Sequence, residues 1–366
     1  MLDRPRLIGS DIFRERGLGS THPFAIPKAS ATIDLVRALG WLDGETYVDS
    51  PRAMPARLQR FHDPAYVDAV MDAEAAQAAA PGMRERFGLG GEGAPIFKGM
   101  FARAATACGA AVEAARLLAD GGIVYSPGGG AHHGRPARAS GFCYFNDIAL
   151  GILSMLDRGL NRFCYFDIDA HHGDGVEDAF ANDPRVLVVS VHEAGCWPFT
   201  GTDSDLGRGI ANFAVPAGFN DSEMAFLLEN AILPLIERHR PEAIVIQAGA
   251  DSLADDPMMD LGLSNRAYAD IIRTLMGMAP RLLVFGGGGY TPWSVARCWA
   301  GIWAVLNGFE VPDRVPEAAE TVLRDLTRHW ATGRMPPEHW FTTLADAPRP
   351  GAVREAVKQA AAATLR

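Results

Sequence analysis

Short apolar runs alternate with longer segments of helical character along most of the chain. Five runs have the length of strands: IVYS (123–126), FCYFDID (163–169), VLVVSV (186–191), AIVIQAG (243–249) and LLVFGG (282–287). Because these runs stay apolar at successive positions, they predict strands that are covered on both faces.

The segments between these strands predict helices. They span 99–119, 146–158, 222–239 and 264–279. Ser222 and Ser264 are candidate N-caps, and Pro234 is expected to kink the third helix. The alternation predicts an α/β fold with a parallel sheet between helices. We expect 1–366 to form one domain, with a surface loop at 81–95 and helices and loops over 311–366.

Polar clusters follow four of the predicted strands. The strand at 123–126 leads into PGGGAHHGRP, 163–169 leads into AHHGDG, 243–249 leads into ADSLADDP, and 282–287 leads into GGY. Ligands bind beyond the carboxyl ends of the strands in parallel α/β sheets. We therefore expect the four clusters to converge on one site.

Composition narrows the class of protein. The chain has 366 residues, of which 48% are hydrophobic and 21% charged, as expected of a soluble globular protein. No run is long enough to span a bilayer, and the N-terminus lacks the apolar core of a signal peptide. Five cysteines without a CxxC motif indicate a reduced, cytoplasmic protein. The net charge of −10 argues against unspecific nucleic-acid binding and is compatible with a cationic substrate.

Two carboxylates and one imidazole at the strand ends indicate a metal site. Asp169 and His171 are two positions apart, so an extended chain places both on one side. Asp251 follows another strand and supplies a third ligand. This set fits a catalytic zinc with open coordination, and it also fits iron, manganese or cobalt.

The motifs at the strand ends are also similar to those of binuclear manganese ureohydrolases of the arginase kind, which bind two metal ions. Those enzymes carry two further aspartates, at the positions that Gly173 and Leu253 occupy here. We therefore expect one catalytic ion per chain, and a ureohydrolase is the weaker alternative.

Paired histidines and a tyrosine complete the candidate chemistry. His132 and His133 follow PGGG, and Asp167 and Asp174 are carboxylates that can fix their tautomers. Tyr290 ends GGGGY, where close approach of another group is expected, and its phenol can donate to an oxyanion.

Four runs of the chain resemble the histone deacetylase family: PGGGAHHGRPARASGFCYFNDIALGI (127–152), FDIDAHHGDGVEDAF (166–180), GADSLADDPM (249–258) and GGGGY (286–290). Weaker similarity extends over about 20–310. Within the family the chain is similar to the bacterial branch named for acetoin utilisation, close to the class I enzymes. The resemblance implies the arginase/deacetylase fold, a central, mostly parallel sheet flanked by helices, and zinc-dependent hydrolysis of acetyl-lysine in a protein or peptide.

The resemblance also implies a role for each residue of the site. By motif position, the zinc ligands are Asp169, His171 and Asp251, and the catalytic residues are His133 (general base, then acid), His132 (stabilisation of charge), Asp167 and Asp174 (partners of His132 and His133) and Tyr290 (polarisation of the carbonyl). A structural potassium ion is implied at Asp167, Asp169, His171, Ser190 and Val191. The implied substrate tunnel is formed by Gly141, Phe142, Phe199 and Met258, with Trp197 at its mouth.

Some positions depart from the family pattern. Gly93 stands where class I enzymes have a rim aspartate that holds the substrate backbone, with Glu92 beside it. Lys28 is the cation nearest to the position of an arginine associated with acetate release. An acetylpolyamine amidohydrolase is therefore the alternative function, although 81–98 contains no large insertion of the kind that narrows the entrance of those enzymes.

Other features are interpreted as structural. GLGGEG (88–93) follows a charged segment and not a strand, so it does not indicate a dinucleotide site. His192 is expected to be a hydrogen-bonded structural histidine, and RPARA (135–139) is too short for a nucleic-acid patch. A catalytically silent binding module is disfavoured because every expected ligand, base and phenol is present.

Overall fold

Eight parallel strands form one sheet at the centre of the computed structural model, which describes residues 4–14, 26–329 and 336–364. The order of the strands is β2-β1-β3-β8-β7-β4-β5-β6. Their bounds are Arg6–Gly9 (β1), Tyr47–Asp49 (β2), Gly122–Ser126 (β3), Phe163–Asp167 (β4), Val186–Glu193 (β5), Ile210–Val215 (β6), Ala243–Gln247 (β7) and Arg281–Phe285 (β8).

The sheet is buried on both faces, which explains why its central strands are apolar at successive positions. In β4, Cys164 and Phe166 belong to the hydrophobic cluster on one face, whereas Phe163 and Tyr165 belong to the cluster on the other. Helices cover each cluster, so alternate side chains both enter a core. The predicted α/β fold with a parallel sheet flanked by helices is confirmed.

Helices connect the strands and cover the sheet. Their bounds are Lys28–Ala38 (α1), Pro55–Leu58 (α2), Pro64–Ala76 (α3), Met83–Phe87 (α4), Met100–Leu117 (α5), Asp147–Leu156 (α6), Asp174–Phe180 (α7), Asp221–Leu227 (α8), Leu233–His239 (α9), Asn265–Leu275 (α10), Pro292–Asn307 (α11), Glu317–Asp325 (α12), His339–Thr342 (α13) and Glu355–Thr364 (α14). Short 3-10 segments lie at Asp11–Arg14, Leu206–Arg208, Ala250–Ser252 and Leu326–His329.

The third predicted helix is divided where a kink was expected. A π-helical turn over Leu228–Ile232 separates α8 from α9, and Pro234 lies in the first turn of α9. Asn220, and not Ser222, is the N-cap of α8, because its side chain accepts from two backbone N–H groups while Glu223 completes a capping box. Ser264 does precede α10, but its hydroxyl donates to Asp221 instead of capping the helix.

Three strands and six helices lie outside the predicted elements; the helices are α1, α2, α3, α4, α7 and α11. β1 and β2 are short and occupy one edge of the sheet, and β6 occupies the other. The helix α4 lies within 81–95, which was predicted to be a loop. The tail is helical where it was expected to be, in α12, α13 and α14.

The four strands that precede the polar clusters are neighbours in the sheet. They are β3, β8, β7 and β4, the central strands of the order given above. Because all four are parallel, their carboxyl ends meet at one edge, and the predicted convergence of the clusters follows from this topology. Within the described part of the chain, no helix is both long and apolar enough to cross a membrane.

Candidate metal centre and active site

Glycines let the chain after β3 pass close to the neighbouring strand ends. A Cβ on Gly130 would lie 2.7 Å from the carbonyl oxygen of Gly286, and the φ of Gly130 is +107°. Asp147, at the start of α6, accepts hydrogen bonds from the backbone N–H groups of Gly130 (2.9 Å) and Ala131 (2.8 Å). This buried carboxylate holds the loop that carries the paired histidines, and its role was not predicted.

Asp169, His171 and Asp251 come together as predicted. Their ligand atoms all lie within 4.8 Å of one another. Nδ1 of His171 is 3.1 Å from Oδ1 of Asp169 and 3.1 Å from Oδ2 of Asp251. Both carboxylates are buried, and the imidazole is nearly so.

The second oxygen of each carboxylate is held by the surrounding chain. Oδ2 of Asp169 accepts from Nε2 of Gln247 (2.8 Å) and from the backbone N–H of Gly288 (2.9 Å). Oδ1 of Asp251 accepts from the N–H of Ala170 at 3.0 Å. These bonds leave Oδ1 of Asp169 and Oδ2 of Asp251 directed at His171. Gln247 is a supporting residue that the sequence analysis missed.

The geometry fits a metal ion. A tetrahedral ion with bonds of about 2.0–2.2 Å holds its ligands about 3.3–3.6 Å apart, close to the 3.1 Å separations found here. Burial opposes a charge on His171, but hydrogen bonds to the carboxylates of Asp169 and Asp251 outweigh it and raise the pKa of His171 to about 11. The two buried carboxylates therefore favour a positive charge between them, and a divalent cation can supply it.

His132 forms the first of two buried His–Asp pairs. Its Nδ1 is 2.7 Å from Oδ2 of Asp167, which also accepts from the hydroxyl of Tyr165 at 2.5 Å. Burial disfavours the imidazolium, but the charges of Asp167 and Asp169 prevail and raise the pKa of His132 to about 9. The two carboxylates therefore favour the protonated form of His132.

His133 forms the second pair, and its pKa is shifted in the opposite direction. Its Nδ1 is 2.7 Å from Oδ1 of Asp174, the first residue of α7. Burial and the neighbouring charge of His132 lower the pKa of His133 to about 3, despite the hydrogen bond to Asp174. The two rings lie 3.9 Å apart between centroids, so a positive charge on His132 disfavours one on His133.

Tyr290 is held at the same strand ends by an acidic residue. Its backbone N–H donates to Oδ2 of Asp256 at 2.7 Å, and the tyrosine side chain is buried. Burial raises the pKa of the Tyr290 phenol well above its usual value, so the phenol stays protonated and remains a hydrogen-bond donor. The DDP sequence after the third ligand therefore has a structural role in placing this loop.

One cavity of about 450 Å³ connects these groups to the surface. Of the predicted tunnel residues, Gly141, Phe142, Trp197 and Met258 line it, together with the candidate metal ligands, both histidines and Tyr290. Trp197 packs edge-on against His133, with 4.6 Å between ring centroids.

Phe199 is the exception among the predicted tunnel residues. It is not among the residues that line the cavity, and it is 72% exposed. The expectation that Phe199 forms the second wall is not met in this structure, in which Trp197 lines the cavity instead. Gly141 allows this packing, since a Cβ there would lie 2.4 Å from Cη2 of Trp197.

The residues that depart from the family pattern also lie at this cavity. Gly93 lines it and accepts a hydrogen bond from the N–H of Phe142 at 2.7 Å, whereas Glu92 is exposed and is not a lining residue. Lys28 lines it as well, and its Nζ donates to the carbonyl of Gly287 at 2.7 Å.

Three of the implied potassium ligands, Asp167, Ser190 and Val191, lie in the adjacent strands β4 and β5. Asp167 and Ser190 are paired across β4 and β5, and Val191 follows in β5. Ser190 Oγ lies 2.9 Å from Nδ1 of His192, whose Nε2 lies 3.0 Å from the carbonyl oxygen of Gly201. His192 is therefore a hydrogen-bonded structural histidine, as expected.

The glycine-rich run GLGGEG (88–93) does not open a helix, so it lacks the context of a dinucleotide site.

Comparison with known proteins identifies the family. The model of the histone deacetylase domain matches residues 22–306. Histone deacetylase 6 of Arabidopsis thaliana is 42% identical over 270 residues, which cover 70% of this chain and 56% of that protein. Putative histone deacetylase 2 of Caenorhabditis elegans is 35% identical over 328 residues, 87% of this chain and 63% of the relative. The chain thus matches somewhat more than half the length of these relatives.

Two solved structures are similar to this chain over nearly its whole length. The crystal structure of an HDAC homolog from Aquifex aeolicus has a TM-score of 0.91 and 33% identity, and covers 99% of this chain and 100% of its own. The structure of an HDAC homolog complexed with SAHA has a TM-score of 0.89 and 32% identity, with the same coverage. The match of the family model to most of the chain, together with these relatives, shows that the protein belongs to the histone deacetylase family.

Proposed function

We propose that the protein is a zinc-dependent deacetylase that hydrolyses the acetyl amide of acetyl-lysine in a protein or peptide, releasing lysine and acetate. The observation that carries the proposal is the placement of the Asp169, His171 and Asp251 cluster, two His–Asp pairs and Tyr290 along one cavity. Membership of the histone deacetylase family supports it.

The ligand set supports one zinc ion per chain, with ferrous iron as the other candidate. Asp169, His171 and Asp251 would hold the ion. Zinc in such a site polarises a carbonyl and lowers the pKa of a bound water to about 7. Metal content per chain tests this stoichiometry, since a binuclear site would give two.

The charge states of the two histidines support separate roles for them. His133, neutral at Nε2, accepts a proton from the attacking water and then gives a proton to the leaving amine. His132 stays protonated and stabilises the negative charge that develops in the transition state. Tyr290 donates a hydrogen bond to the carbonyl oxygen as that oxygen becomes anionic.

The walls of the cavity support a lysine side chain as the group that enters. Phe142 and Trp197 are aromatic and Met258 is apolar, and a four-carbon methylene stem gains apolar burial between such groups.

The charge of the cavity argues against the alternative substrate. A polyamine carries further positive charge, which requires carboxylates nearby. The carboxylates that line the cavity in the described part of the chain are Asp169 and Asp251, both assigned to the metal. For this reason acetyl-lysine is favoured over acetylpolyamines.

A structural potassium site is proposed on the basis of the resemblance to the histone deacetylase family. Its ligands would be Asp167, Asp169, His171, Ser190 and Val191, and the pairing of Asp167 with Ser190 across two strands supports this assignment. Replacement of potassium by tetramethylammonium in the buffer should lower the stability of the metal-loaded protein. An unfolding temperature that is the same in both buffers would contradict the assignment.

The decisive experiment compares two substrates of the zinc-loaded protein. Turnover of an acetyl-lysine peptide and of an N-acetylated diamine is measured side by side. We expect a higher kcat/KM for the peptide. A preference for the diamine would assign the protein to the polyamine enzymes, and no turnover of either amide would overturn the proposed function.

A further inference from the structure

Arg135 lies two residues after the proposed base and contacts the partner of that base. One guanidinium nitrogen of Arg135 donates to Oδ2 of Asp174 at 2.5 Å, and the other forms an ion pair with Asp178, four residues further along α7. The side chain of Arg135 is only partly exposed, and that of Asp174 is buried. The carbonyl of Arg135 also lies 3.0 Å from Nδ1 of the buried His62.

The two oxygens of Asp174 are divided between two partners. Oδ1 faces Nδ1 of His133 at 2.7 Å, and Oδ2 accepts from Arg135. A carboxylate held at both oxygens has no freedom to rotate about its terminal bond. Without Arg135, Oδ2 would be a buried acceptor lacking this charged donor, and such a group costs free energy until it reorients or finds water.

The other His–Asp pair is built differently. Asp167 accepts from the hydroxyl of Tyr165 and from the backbone N–H of Asp169, which are neutral donors, in addition to His132. Asp174 is instead braced by a guanidinium that is itself tied to α7 through Asp178. The carboxylate that contacts the proposed base therefore has a charged donor, whereas the carboxylate that contacts His132 has only neutral donors besides the histidine.

We infer that Arg135 is a positioning residue for the proposed hydrolysis. It fixes the carboxylate of Asp174, which in turn keeps the proton of His133 on Nδ1 and leaves Nε2 aimed at the cavity to accept a proton. The inference rests on the proposed function for the role of His133, but the contact itself does not.

The first test is kinetic. Partners that orient an active-site group typically contribute about 10–100-fold to activity, so Arg135→Met should lower kcat by about 10-fold or more, with KM nearly unchanged. Arg135→Lys retains a cation and should recover part of the loss. Arg138→Met is the matched control, because Arg138 is in the same loop but donates to the carbonyl of Glu85.

A double-mutant cycle separates positioning from general damage. If Arg135 acts through Asp174, Arg135→Met should cost no further activity in an Asp174→Asn background. An equal fractional loss in both backgrounds, or a wild-type kcat in Arg135→Met, would overturn the inference. Unfolding temperatures of all variants show whether a loss of kcat reflects a loss of folded protein, and Arg135→Lys supplies the comparison if Arg135→Met is unstable.

A spectroscopic measurement tests the role of Arg135 without depending on turnover of the proposed substrate. The Nδ1–H proton of His133, hydrogen-bonded to a carboxylate, should give a far-downfield proton NMR signal of the zinc-loaded protein that is lost in Asp174→Asn. We expect this signal to shift or exchange faster in Arg135→Met and to stay in place in Arg138→Met. Absence of turnover with such a shift would reject the substrate assignment alone, whereas an unshifted signal would reject the role of Arg135.

Discussion

Replacement of Gly288 by alanine is expected to disrupt the metal site directly. Gly288 follows β8 in the GGGGY run, and its N–H donates to Asp169. A Cβ at this position would lie 2.0 Å from Oδ2 of Asp251 and 2.8 Å from Oδ2 of Asp169. Gly288 is not among the glycines with positive φ, so alanine suits the backbone and the effect comes from the added methyl group.

The size of the effect follows from this contact. Ordinary contacts of a Cβ begin at 3.4 Å, so the carboxylate of Asp251 must retreat by about 1.4 Å, the difference between 3.4 and 2.0 Å. Such a shift takes Oδ2 out of reach of an ion whose bonds are about 2.0–2.2 Å long. With one of three protein ligands displaced, we expect zinc affinity to fall at least about 100-fold, equivalent to about 2.8 kcal/mol.

Zinc affinity is measured by competition with a chromophoric chelator, and the metal content of the purified protein is measured alongside. Gly301→Ala is the matched control, since a Cβ on this residue of α11 would meet nothing within 4 Å. The control should bind zinc normally, and its helix should gain up to about 1 kcal/mol of stability. Wild-type zinc affinity in Gly288→Ala would refute the assignment of Asp251 as a ligand.

Three further predictions concern the phenol, a buried histidine and the cavity wall. Tyr290→Phe should lower kcat by about 10²–10³-fold while zinc stays bound, and unchanged turnover would remove Tyr290 from the mechanism. Burial lowers the pKa of His62 from 6.5 to about 4; the unfolded chain therefore binds the proton first, and stability falls by roughly 3 kcal/mol as the pH drops through this window. Denaturant titrations of His62→Gln should show a smaller fall, and parallel curves would contradict the prediction. Trp197→Ala should raise KM for an acetyl-lysine peptide more than Phe199→Ala does, because only the former lines the cavity; the reverse order would restore Phe199 as the wall.

The pattern of the chain was sufficient for the centre of the fold because burial on both faces leaves a strong local signal. The strands β3, β4, β5, β7 and β8 were all predicted from continuous apolar runs. The outer strands β1, β2 and β6 were missed. β1 and β2 are only four and three residues long, and short edge strands carry little periodicity.

The chemistry of the site was predictable for a related reason. The candidate ligands and bases follow directly after buried strands, and parallel topology brings these strand ends together. Residue type and spacing then identified Asp169, His171 and Asp251, whose proximity the structure confirms.

The supporting residues were not predictable, because their partners are distant in sequence and their residue types are unremarkable. Gln247 ends β7 yet donates to Asp169 on β4's loop, and Arg135 reaches Asp174 from 39 positions away. Only packing decides such pairs. The direction of a side chain at a turn is equally a property of the folded chain, as Trp197 and Phe199 demonstrate.

The sequence by itself therefore determined the α/β class and the parallel sheet, and it placed the candidate metal ligands and bases at the strand ends, because burial and strand-end position are local properties of a sequence. The tertiary structure alone decided which aromatic residue lines the cavity, the environment that shifts each histidine's pKa, and which cation contacts Asp174. These properties depend on contacts between segments that are far apart along the chain, and on the burial those contacts produce. They cannot be predicted from the local sequence.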